Sequence, residues 1–177
     1  MTKKRKHRQK EKRAKRSIEG LALRRVPDEN VFELVHPPCM TERTEDLEEV
    51  YAMLDAGEVN LALIELRWLL EECKELLEAH KLLGEIAFAD GDLTLARSHF
   101  GRAYELGLKA FPKGGPPGPL PYARSPNRAF FEAGRGLARC LAGLGESKLA
   151  AEVVGQLLAL DPGDPLAVKH LLPEGNG

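Results

Sequence analysis

Three glycines and three alanines constrain this chain more than any other feature. Gly57, Gly91 and Gly145 each close a stretch whose apolar residues recur at spacings of three and four, and an alanine follows each by five residues: Ala62, Ala96 and Ala150. The first two glycines are 34 residues apart and the next two 54. The longer interval holds "PKGGPPGPLPYARSPN", residues 112–127, whose six prolines and three glycines read as a loop. An insertion over residues 111–130 restores the register. The glycines then mark the turns of three helix pairs, because a fixed period of this length signals a repeated supersecondary unit.

The stretches between the turns carry the helical pattern. "DLEEVYAMLDAG" places Leu47, Val50, Tyr51 and Leu54 on one face, and "VNLALIELRWLLEEC" follows it. "EAHKLLGEIAFAD" and "LTLARSHFGRAYELG" make the second pair, "RAFFEAGRGLARCLAGLG" and "SKLAAEVVGQLLAL" the third. Ser125-Pro126 has the form of an N-cap and first-turn pair. Asp164-Pro165 could open a short closing helix, "LAVKHLL", that ends at Pro173. Gly84, Ala96 and Ala103 stand where helices must cross at close range, which requires short side chains.

With these residues placed, the chain resembles the tetratricopeptide (TPR) repeat family, in three units at about 43–76, 77–110 and 131–164. The middle unit carries the resemblance best: Leu83-Gly84, Gly91 at the turn, Ala96 and Ala103 as the small positions, and Phe100 as the aromatic. The first unit keeps Gly57 and Ala62 but has Glu49-Val50 for the Leu-Gly pair. The third keeps Gly145, Ala150 and Pro162, with Val154 at the aromatic position. The resemblance implies an all-α fold, a right-handed superhelix of antiparallel helix pairs with a short C-terminal capping helix. It covers residues 43–172, with an extended lead-in over 17–42, a disordered basic arm over 1–16 and a tail over 173–177.

Composition divides the chain further. Net charge is −1, yet residues 1–16 hold ten Lys/Arg against one Glu, leaving 16 Lys/Arg against 26 Asp/Glu in the rest. The arm residues Lys3, Lys4, Arg5, Lys6, Arg8, Lys10, Lys12, Arg13, Lys15 and Arg16 have almost no apolar company, so ordering them gains little. Four roles stay open for them: non-specific contact with RNA phosphates, a targeting signal, folding back on the acidic body, and a solvated tail. No aromatics are interleaved, which argues against base reading. Cys39, Cys73 and Cys140 are odd in number and widely spaced, which fits reduced thiols and a cytoplasmic chain. No run approaches the roughly 20 apolar residues of a membrane span, and the interrupted "SIEGLALRRVP" is no signal peptide.

No catalytic constellation or cofactor motif emerges, so the expected protein is not an enzyme. His36-Pro-Pro-Cys39 has metal-ligand spacing but no second pair, and it reads as a structural lead-in. "KGGPPGPLP" lacks the ending of a phosphate loop. What remains is binding of a protein or peptide partner. The resemblance implies a concave groove lined by unit positions 2, 5, 9, 12 and 13 of each first helix. Leu47, Tyr51 and Leu54 come from unit one, Lys81, Glu85 and Phe88 from unit two, and Arg135 and Arg139 from unit three. Lys81, Arg135 and Arg139 could meet an acidic segment. The rival function is an RNA- or ribosome-associated protein that uses the arm, with the repeats as scaffold. Trp68 reads as core or edge packing, with a partner anchor as the alternative. The Pro/Gly-rich insertion reads as a spacer, with docking elsewhere on the chain or covering the groove as the alternatives.

Overall fold

The computed structural model describes residues 20–172; the basic arm and the tail lie outside them. Within that range the chain is mostly helical, with one small sheet. Strands β1 (Ala22–Arg25) and β2 (Phe32–Val35) lead into the short helix α1 (Pro38–Glu42). Six longer helices follow: α2 (Thr44–Asp55), α3 (Val59–Glu72), α4 (Leu77–Ala89), α5 (Leu93–Lys109), α6 (Ser125–Gly143) and α7 (Ser147–Leu160). A 3-10 turn, Val168–Leu171, closes the described chain within the stretch expected to form a short closing helix. Asp164 sets that turn by accepting the backbone N–H groups of Val168 at 2.7 Å and Lys169 at 3.2 Å.

The three turn glycines do the same work in the same geometry. Their φ angles are +77°, +81° and +80°, the left-handed region that glycine enters without a Cβ penalty. After α2 the N–H of Glu58 donates to Met53 O at 2.8 Å and that of Gly57 to Leu54 O at 3.0 Å. Asp92 and Gly91 repeat the pair on Ala87 and Phe88, and Glu146 and Gly145 on Leu141 and Ala142. This is the Schellman arrangement, which satisfies carbonyls that a helix end would leave orphaned. An acidic residue, Glu58, Asp92 or Glu146, follows each glycine and stands just before the next helix, where the helix dipole favours negative charge.

Matching positions of the pairs are also matched in burial. Val50, Gly84 and Ala138 lie inside, as do Ala62, Ala96 and Ala150. Phe100, 3% exposed, shows why two of its neighbours must be small. A Cβ on Gly84 of α4 would lie 2.7 Å from its ring, and one on Gly136 of α6 only 2.6 Å. One side chain of α5 thus fixes the approach of helices on both sides. The core falls into two clusters that meet at α4. Ala79, Leu82, Leu83 and Ile86 pack toward α2 and α3, and Leu77 and Ala87 belong with the aromatic cluster of α5–α7. Pro162, by contrast, is exposed in the turn that follows α7.

Three expectations need correcting. The lead-in is not merely extended: β1 and β2 pair antiparallel, with Ala22 opposite Val35, and Pro38 starts the short helix α1 inside that span, at a position where a missing N–H costs nothing. Arg124 rather than Ser125 caps α6, with no side-chain cap bond. Cys39 and Cys73 are joined in a disulfide, with Cα atoms 5.8 Å apart, and only Cys140 is a free thiol among the described residues. Their separation of 34 residues along the chain hid the return of α1 to the end of α3.

The proline-rich insertion is docked rather than a free spacer. Leu120 is fully buried, and its N–H donates to Leu160 O at 3.0 Å. Asn127, also fully buried, joins hairpin, insertion and α6. Its Oδ1 accepts from Leu34 N–H at 2.9 Å, while Nδ2 donates to Phe32 O at 3.3 Å and Pro121 O at 2.8 Å. Arg124 adds ion pairs to Glu29 at 2.7 Å and Glu33 at 3.2 Å. Arg24 also bonds Glu33 and, against the cost of burial, the two guanidinium groups hold its carboxyl below the usual range.

Candidate interaction face

Lys81 stands at the centre of a polar cluster assembled from the first helices of all three pairs. It is 5% exposed, on α4. Its Nζ lies 2.8 Å from Glu78, 3.7 Å from Glu85 and 3.1 Å from Glu132 of α6, and donates to the Tyr51 hydroxyl of α2 at 3.1 Å. Burial works to lower the Lys81 pKa, but the surrounding carboxylates outweigh it and hold it above the ordinary lysine value. The Tyr51 hydroxyl bonds Glu78, and burial together with that carboxylate pushes its pKa up to about 12. The insertion joins the cluster as well, through Tyr122, whose hydroxyl donates to Glu132 at 2.9 Å. A second contact between first helices lies nearby: the Arg139 guanidinium of α6 sits 4.3 Å from the ring centre of Phe88 on α4.

The eight groove residues therefore separate into three groups. Tyr51, Lys81, Glu85, Phe88 and Arg139 share these contacts. Leu47 lies beside them in a cleft of 440 Å³, which His36, Met40, Tyr51, Glu78 and Pro126 also line. Arg135 is exposed and forms no ion pair among the described residues, and Leu54 is half-buried against the core of the first pair. Lys81 differs from the expected surface cation, since three carboxylates already surround its charge. Glu78 and Glu132 belong to the face but were missed. The signal was present, because both occupy the second position of their units, one of the groove positions the resemblance supplies.

The remaining candidates make contacts within the chain. His36 donates from Nε2 to Pro126 O at 2.7 Å and lies 3.1 Å from Met40 Sδ through Nδ1; burial lowers its pKa. Trp68 is 41% exposed and packs at an edge, with the Arg43 guanidinium 4.9 Å from its ring. No group of three or more metal-ligating side chains occurs among the described residues, and none of their helices is long and apolar enough to cross a membrane. No protein-family model matches the chain, and no curated protein matches its sequence.

Proposed function

We propose that residues 43–164 form a TPR-like superhelix whose first helices hold a protein segment along their shared face, with no chemistry performed on it. The observation that carries this reading is the contact of Tyr51, Lys81 and Glu132, one residue from each first helix, around a single ammonium group. Side chains at repeated positions present one continuous surface when units stack with a constant rotation. The cleft beside Tyr51 offers apolar and aromatic walls to a side chain of the segment.

Charge orients the segment. Unit one carries ten Asp/Glu against three Lys/Arg, while Arg135 and Arg139 expose cations on unit three. An acidic stretch of the partner therefore meets α6, where a guanidinium can take a carboxylate bidentately. The expected result is that Arg135→Glu with Arg139→Glu lowers partner capture at least ten-fold while far-ultraviolet circular dichroism is unchanged. Undiminished capture refutes the assignment.

The rival role, RNA or ribosome association through the arm, is favoured by the ten Lys/Arg of residues 1–16. Deleting those residues separates the two. Salt-sensitive RNA retention disappears if the arm is the binding element, whereas capture by the helical face persists without it.

A further inference from the structure

The segment from Gly20 to Arg43 reaches across the stack and is anchored in two different ways. At one end, β2 is fixed to α6 and the insertion by the buried Asn127 network. At the other, α1 is tied through Cys39 to Cys73, the residue that ends α3. Between these points His36 and Met40 help to line the cleft, together with Thr41, Tyr51 and Glu78.

Besides the sulfur bond, the second anchorage consists of Met40, half-buried against both core clusters, and of Arg43 at the end of α1, which pairs with Glu72 at 3.4 Å. Helix α1 has five residues, none of them buried, and no side-chain cap bond at its start. Cys73 is 2% exposed within the core of the first pair, whereas Cys39 is only half-buried. A small nucleophile can therefore reach the bond from the Cys39 side. Once the bond opens, Cys73 remains well housed as a small apolar residue, while Met40 is the one large apolar side chain of α1 left to hold it against the core.

We infer that the Cys39–Cys73 disulfide is a redox latch: closed, it holds α1 as a wall of the cleft, and opened by a dithiol it releases α1 and widens the cleft. The thiolate of the dithiol attacks Cys39 Sγ, and Cys73 leaves as a thiolate that takes up a proton. The second thiol of the reductant then attacks the mixed disulfide, becomes a cyclic disulfide, and frees Cys39 as a thiol. Two electrons and two protons pass to the protein. In a reducing compartment the latch stands open, and in an oxidising one it stands closed. Its consequence for partner access rests on the groove reading above, but the latch itself does not.

The test uses the full chain, oxidised and dithiol-reduced, without denaturant, and needs no partner. Thiol titration of the oxidised protein should find no fast-reacting group, because Cys140 is fully buried, and the reduced protein should show one, Cys39, with Cys73 reacting slowly from the core. Backbone hydrogen exchange over residues 38–43 should speed up at least ten-fold on reduction, while residues 93–109 and 125–143 change less than two-fold. Fluorescence of Trp68, the only tryptophan, should shift with it, since Arg43 at the end of α1 covers that ring. Cys39→Ser with Cys73→Ser should match the reduced protein under both conditions, although the wild-type comparison is decisive without any substitution. Unchanged exchange over 38–43 overturns the latch, and so does loss of protection throughout α5 and α6. If the latch holds and the Arg135/Arg139 variant still captures partner, only the groove reading fails.

Discussion

Alanine at the three turn glycines should give nearly the same loss of stability three times. Each glycine has φ near +80°, and a Cβ built on Gly57, Gly91 or Gly145 meets nothing within 4 Å. The cost is therefore conformational and not steric. Holding an L-residue in the left-handed region costs about 1–2 kcal/mol. Replacing glycine narrows the unfolded ensemble and returns roughly 0.4–1 kcal/mol. The net is about 1 kcal/mol at each site. With an m-value of about 2 kcal/mol/M, the urea midpoint should fall by roughly 0.5 M for each variant. Gly107→Ala provides the contrast, because its Cβ would lie 2.2 Å from the Phe130 ring, so it should lose distinctly more than any turn variant. Urea titrations of the four single variants measure both effects. Three turn variants that differ from one another by more than about 1 kcal/mol would refute the claim that the turns are equivalent.

Lys81→Met should destabilise by about 2 kcal/mol in the same titration, less than a fully buried pair would lose, because Glu78, Glu85 and Glu132 keep partial access to water. The pH dependence has a definite sign. Lys81 and Tyr51 both have folded values raised above their ordinary ones, so their stabilisation is complete below about pH 10 and is lost as pH rises beyond it. Thermal melts from pH 9 to 12 should show that decline in the wild type and a shallower one in Lys81→Met; identical slopes would contradict it. Asn127→Ala leaves Leu34 N–H, Phe32 O and Pro121 O without their partner, and should cost about 3 kcal/mol. Hydrogen exchange should then accelerate first over residues 22–35, and a uniform change along the chain would count against this network.

The helices and their turns were legible because their signals are local. A glycine at the end of an apolar period has one economical use, and Gly57, Gly91 and Gly145 all serve it. Ala62 and Ala96 carried the close approaches for the same reason. The hairpin was not legible: "ALRR" and "FELV" are four residues each, and β2 is anchored by Asn127, some ninety residues away along the chain. The disulfide was hidden in the same manner by the return of α1. At the candidate face, repeat positions located Tyr51, Lys81 and Phe88 but gave no account of the charge around them. Glu78 and Glu85 stand three and four residues from Lys81 on the same helix, a pattern the sequence does show. Glu132, however, reaches it only because α4 and α6 sit side by side, which no local pattern records.

The side-by-side placement of these first helices is the centre of the account, and a double-mutant cycle between Lys81 and Glu132 tests it directly. The two residues are 51 apart in sequence and 3.1 Å apart in space. Unfolding free energies of Lys81→Met, Glu132→Gln and the double variant should yield a coupling of about 1 kcal/mol, within the range for residues in contact. Strict additivity, within about 0.3 kcal/mol, would mean that α4 and α6 do not share this face.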